Sequence, residues 1–131
     1  MEVARLEECE PFVTADGSQI RELLNPRNSA LRHQSLAEAT LAPGAATTEH
    51  FHPRAEEIYH ILRGTARLCI EDEERVLRAG DAVAIPSGQR HKIWNIGTEP
   101  LVFLCCCAPA YTHEDTVLVE AAPAENAVSI C

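Results

Sequence analysis

The chain has 131 residues, of which 46% are hydrophobic and 24% charged, the proportions of one ordinary globular domain with a core of its own. A formal net charge of -9 excludes nucleic acid or an acidic membrane surface as a partner held by the overall field. No run approaches the roughly 20 apolar residues of a membrane helix, and the polar start Met1-Glu-Val-Ala-Arg-Leu-Glu-Glu lacks the apolar core of a signal peptide, so a cytoplasmic location is expected. Cys105, Cys106 and Cys107 are consecutive while Cys9, Cys69 and Cys131 are scattered without a CxxC pair, which reads as reduced, mostly buried thiols.

In chain order, Pro11 to Ser18 predicts a short extended piece ending in an Asp16-Gly17 turn. Gln19 to Leu24 alternates and reads as a strand in preference to a helical turn, and Asn25 to Ser29 as a loop. Leu31 to Leu41 predicts a strand, as do Thr47 to Phe51 before Pro53 and Glu57 to Leu62 before Gly64. Thr65 to Ile70 would pair with Val76 and Leu77 across the charged turn Glu71 to Glu74. After Gly80-Asp81 come strands at Ala82 to Ile85, His91 to Ile96 and Leu101 to Cys107, the last ended by Pro109. Eight or more short strands with turn signals between them, and no ten-residue stretch of helical period, predict an all-β sandwich or barrel. Three segments follow: residues 1–30 packing on the barrel, a barrel over 31–110, and a polar C-terminal extension over 111–131 whose end is expected to be flexible.

Chemistry concentrates between Gly44 and Asn95. Side chains alternate along a strand, so His50 and His52 share a face and can bind one ion. Glu57 follows a proline-containing bend, with Glu56 as its rival on the opposite face. His91 arrives from a distant strand after Pro86-Ser-Gly88. Three imidazoles and a carboxylate suit one divalent transition ion, Fe, Mn, Ni, Co or Zn, and leave two positions of a six-coordinate ion free.

These residues resemble the two-part motif of the cupin superfamily. Gly44-x5-His50-x-His52-x4-Glu57-x6-Gly64 matches its first half, and Gly80-x5-Pro86-x-Gly88-x2-His91-x3-Asn95 its second. The resemblance implies a small single-domain antiparallel barrel of jelly-roll type, metal ligands at His50, His52, Glu57 and His91, and a homodimer. It does not imply one activity.

Around the site, alternation sends Tyr59 and Ile61 inward with Glu57, and Ile58, His60 and Leu62 outward. Tyr59 is a candidate to bind substrate or act as general acid. Asn95 is expected to tie backbone at its strand end, and Trp94 to face outward, as a candidate for the dimer interface. The inward set of the last strand is either Leu101, Phe103, Cys105 and Cys107 or Val102, Leu104 and Cys106. Cys105 and Arg21 are candidates to contact substrate, and His113, in the polar run after that strand, is a candidate acid/base. The preferred function is a metal-dependent enzyme acting on a small polar metabolite, of sugar or sugar-acid isomerase, epimerase, lyase or cyclase type. The alternatives are a non-haem iron dioxygenase and a non-catalytic module that binds or senses a small ligand or metal. Aromatic residues at 5% tilt the substrate toward an aliphatic, hydroxylated or acidic compound.

Overall fold

The computed structural model describes residues 1–119; the end of the C-terminal extension, expected to be flexible, lies outside them. Two antiparallel sheets face each other. The first runs β1 (Phe12–Val13), β2 (Gln19–Leu24), β3 (Ser35–Leu41), β10 (Leu101–Ala108), β5 (Glu56–Arg63), β8 (Ala82–Ile85). The second runs β11 (Val117–Leu118), β4 (His50–Phe51), β9 (His91–Asn95), β6 (Thr65–Ile70), β7 (Glu73–Arg78). The chain crosses repeatedly between the sheets, as in a jelly roll, and the expected all-β architecture is what the molecule adopts. Two short 3-10 turns, Leu6–Glu8 and His113–Asp115, are the helical elements among the described residues. No described helix is long and apolar enough to cross a membrane.

Alternation builds the core between the sheets. On β5 the inward Glu57, Tyr59 and Ile61 are buried, whereas Ile58 and Leu62 are exposed. β10 lies between β3 and β5, and of the two possible inward sets it uses Leu101, Phe103, Cys105 and Cys107. Phe103 and Ile61 pack with Leu41, Leu68 and Ile93 from both sheets.

Two expected strands are shorter than their sequence pattern. Leu31 to Gln34 stay out of β3. The preceding loop is held by its own side chains: Asn25 Oδ1 accepts from the Arg27 and Asn28 amides, Asn28 Oδ1 accepts from the Asn25 amide, and Ser29 Oγ donates to the Asn25 carbonyl. Local bonds of this kind compete with a sheet ladder. Likewise β4 begins only at His50, because the Thr47 amide donates to the Ile93 carbonyl and the Thr48 amide to the Asp16 carbonyl. The turn expected over Glu71 to Glu74 narrows to Glu71-Asp72, with Glu71 in the left-handed region at φ 53°.

Gly64 meets a double constraint. Its φ is +91°, and a Cβ there would lie 3.0 Å from the Pro100 carbonyl oxygen and 3.1 Å from Leu101 Cα. Asn95 ties the end of β9, donating to the Leu41 and Glu99 carbonyls and accepting from the Gly97 amide. Cys9, Cys105, Cys106 and Cys107 are free thiols.

Candidate metal centre

The ends of β4, β5 and β9 deliver four side chains to one buried point. His50 and His91 are directly paired across β4 and β9, which sets their rings 4.3 Å apart centre to centre. The ring nitrogens of His50, His52 and His91 lie within 4.8 Å of one another. Glu57 Oε1 is 3.3 Å from His52 Nε2 and 3.5 Å from His91 Nε2. Glu56, the rival, is exposed.

Each ring is oriented from behind. His50 Nδ1 donates to the Thr48 carbonyl (2.7 Å), His52 Nδ1 to the Asp115 carbonyl (3.1 Å) and His91 Nδ1 to the Gln89 carbonyl (3.0 Å). A carbonyl accepts only, so the ring proton sits on Nδ1 and the Nε2 lone pairs converge on Glu57 and on one another. Backbone oxygens behind ligating imidazoles are the usual way of fixing that tautomer. Glu57 Oε1 and His91 Nε2 are buried with no hydrogen-bond partner. Buried polar atoms are normally satisfied, so two orphans facing each other in a cluster of nitrogen and oxygen donors fit a cation. The second oxygen, Glu57 Oε2, accepts from Cys107 Sγ at 3.1 Å.

Electrostatics agree with a cluster made for a cation. Burial, reinforced by neighbouring His91, pushes the His50 imidazole down to about 4, which keeps its nitrogen available. Burial also weighs against charge on His52, but Glu57 beside it outweighs that effect and raises its pKa. For Glu57 burial opposes ionisation, and the flanking His52 and His91 overcome it, holding the carboxyl well below the usual carboxylate range.

Residues 37–107 match the family described as Cupin domain. The chain is a cupin. Its sequence is 45% identical over 114 residues to the Methanocaldococcus jannaschii protein MJ1618, covering 87% of this chain and 91% of that one. It is 29% identical over 110 residues to the tetracenomycin polyketide synthase protein TcmJ of Streptomyces glaucescens, covering 84% and 74%. A Thermotoga maritima structure described as a predicted oxalate decarboxylase superposes with a TM-score of 0.74 at 26% identity, covering 82% of this chain and 99% of that one.

In this cupin the cluster opens into a cavity lined by Tyr59, Phe103, Cys105 and Tyr111, and by the carboxylate residues Asp16 and Glu22. The structure thus brings Tyr59 and Cys105 to the site. Burial and then the charge of Glu57 raise both the Tyr59 hydroxyl and the Cys105 thiol, so both stay protonated near neutrality.

Arg21 and His113 are not brought there, which corrects two expectations. Ile20 and Glu22 line the cavity, so alternation turns Arg21 to the other face of β2. His113 is exposed on the 3-10 turn His113–Asp115. That turn does fold against the site, but through its neighbours. Asp115 supplies the carbonyl behind His52, its carboxylate accepts from the Arg54 and Ala55 amides, and Thr116 and Tyr111 line the cavity. Trp94, expected at an interface, carries the Arg67 guanidinium 4.0 Å above its ring.

The sequence reading missed Asp16 as a neighbour of the centre and left open whether Cys107 faced it. The Asp16-Gly17 turn was visible, but nothing local says that it bends over a strand more than thirty residues on.

Proposed function

We propose that this cupin is a metal-dependent enzyme acting on a small, uncharged, hydroxylated or carbonyl-bearing metabolite, of sugar isomerase, epimerase, lyase or cyclase type. The observation that carries the reading is the convergence of three Nε2 atoms and Glu57 Oε1 at the floor of a cavity. His50, His52, Glu57 and His91 would hold one divalent transition ion. Bound there, such an ion supplies Lewis acidity to a carbonyl or hydroxyl oxygen.

The chain's own residues supply the rest. Tyr59, its hydroxyl kept protonated by burial and by Glu57, is a hydrogen-bond donor beside His91, with ring centres 5.9 Å apart. Tyr111 faces His52 from the other side at 6.1 Å. Glu22, on the cavity wall, would accept a hydrogen bond from a substrate hydroxyl. No Lys or Arg is among the described residues lining the cavity, so away from the ion nothing there favours an anionic group. That argues for a neutral sugar-like substrate over a sugar acid. The fold allows many chemistries, and related proteins with enzyme names, such as an oxalate decarboxylase of Bacillus subtilis at 31% identity over 105 residues, support catalysis without choosing the reaction. We further propose a homodimer, supported by the exposed Ile58 and Leu62 on the outer face of β5; light scattering gives the mass that decides it.

The test is exchange. Protein loaded in turn with Mn(II), Co(II), Ni(II) or Zn(II) is incubated in D2O with a panel of aldoses, ketoses and hydroxyketones and followed by NMR. Deuterium entering beside the carbonyl, absent in His91→Ala, is the expected result. Full metal content in both His50→Ala and His91→Ala overturns the ligand assignment. Oxygen consumption by Fe(II)-loaded protein, without exchange, replaces this reading with the dioxygenase.

A further inference from the structure

We infer that Asp16 is a fifth protein ligand of the centre, so that a bound six-coordinate ion keeps one free position instead of two. This rests on the metal-binding reading above and deepens it.

Asp16 sits at the tip of the β1–β2 hairpin, and its two oxygens are used differently. Oδ1 is fully committed: it accepts from Thr14 Oγ1 (2.6 Å), the Ser18 amide (2.9 Å) and Ser18 Oγ (2.6 Å). These three donors fix the carboxylate and leave it little freedom to swing away. Among the described residues Oδ2 is paired with His50 Nε2, at 3.5 Å. Since His50 Nδ1 already carries the ring proton toward the Thr48 carbonyl, Nε2 presents a lone pair. Two acceptors therefore face each other at 3.5 Å in a nearly closed site, the Asp16 side chain being 14% exposed and that of His50 2%. A shared cation removes that opposition. The same opposition holds between Glu57 Oε1 and the Nε2 atoms of His52 and His91, at 3.3 and 3.5 Å. By distance and by chemistry Asp16 stands to His50 as Glu57 stands to the other two rings. Neighbouring ligands around an ion with bonds of about 2.1 Å lie roughly 3 Å apart, so each of these pairs needs only a small contraction.

The backbone holds the hairpin tip in register with the metal strand through one residue. The Thr48 amide donates to the Asp16 carbonyl at 2.6 Å, and the Thr48 carbonyl accepts from His50 Nδ1. Asp16 and the His50 ring are thus fixed to opposite sides of the same residue. Two carboxylates would also make a site holding a divalent ion electrically neutral, which lowers the cost of keeping the ion away from water. The chemical consequence is selective. One vacancy accommodates a single substrate oxygen at the ion and leaves no place for O₂ beside it, which favours Lewis-acid chemistry over oxygen activation.

The experiment counts water on Mn(II), used as the probe metal, by proton relaxation of solvent, and measures Mn(II) affinity by chelator competition. Asp16→Asn is the decisive variant, because the retained amide oxygen can still accept from Ser18 and Thr14 while Oδ2 is replaced; Asp16→Ala is the second. The expected result is one inner-sphere water in the unaltered protein, two in Asp16→Asn, and affinity weaker by about a hundredfold. Two waters in both proteins, or affinity lost with the water count unchanged, overturns direct ligation by Asp16. Absence of Mn(II), Co(II) and Ni(II) binding in the unaltered protein instead overturns the metal site itself. Circular dichroism and a matched Tm establish that the variants fold.

Discussion

Replacing Asp115 by alanine removes a latch that reaches the candidate metal centre from the C-terminal segment. Its carboxylate accepts from the Arg54 amide at 3.1 Å and the Ala55 amide at 2.9 Å, and its carbonyl accepts from His52 Nδ1. Arg54 is exposed, so water replaces the lost acceptor there at little cost. Ala55 is 3% exposed, and its amide is left without a partner. A buried bond to a charged acceptor is worth about 1.5–3 kcal/mol, so Asp115→Ala should lower metal-free stability by about 2 kcal/mol in urea unfolding. The substitution also frees the turn that holds the carbonyl behind His52. Loss of such support weakens metal binding by roughly tenfold to a hundredfold, which Co(II) titration against a chelator reads directly. Asp115→Asn separates geometry from charge: with one acceptor oxygen kept, it should lose about half as much of both. Stability within about 0.5 kcal/mol of the unaltered protein, together with unchanged Co(II) affinity in Asp115→Ala, would refute the reasoning. Equal affinity losses in Asp115→Asn and Asp115→Ala would show that charge, not the latch, is what matters.

Two other outcomes are expected. Cys107→Val removes the thiol that donates to Glu57 Oε2 and should cost about 1–2 kcal/mol and weaken Co(II) binding, whereas Cys107→Ser, which keeps a donor, should retain affinity; equal effects of the two would mean that only packing is at stake. The His50 imidazole is held at about 4 in the folded, metal-free chain against 6.5 in the unfolded chain. As pH falls below 6.5 the unfolded state takes up a proton that the folded state refuses, so stability is lost down to about pH 4. Between pH 7 and pH 4.5 the unaltered protein should therefore lose about 2 kcal/mol more than His50→Gln, as measured by urea unfolding; parallel losses would contradict a buried neutral imidazole. His52 works in the opposite sense, since its raised pKa adds stability that is present below 6.5 and lost as pH rises through the folded value. It is present in both proteins and largely cancels in the comparison.

The sequence by itself determined the strand pattern and the alternation within each strand. His50 and His52 share a face because the side-chain period of a strand is two, and the same period carries Tyr59 and Ile61 inward with Glu57. The glycines could be read as turns because that role depends on neighbours in the chain, whereas Asn95 could be read as a backbone tie only from its place in the motif, since one of its bonds reaches the Leu41 carbonyl 54 residues away. Tertiary structure alone decided the rest. Whether Cys105 or Cys106 faced inward had two solutions of equal local quality, and the register of β10 between β3 and β5 chose the odd-numbered set. Arg21 was turned away by the register that points Ile20 and Glu22 into the cavity. His113 was displaced by its own neighbours: Thr112 accepts from the Asp115 amide, and the resulting turn offers backbone, not imidazole, to the centre. Asp16, the Asp115 carbonyl and the Cys107 thiol reach the four motif residues from positions remote in sequence. No spacing rule contains them, because their approach depends on how two sheets pack and where loops cross between them.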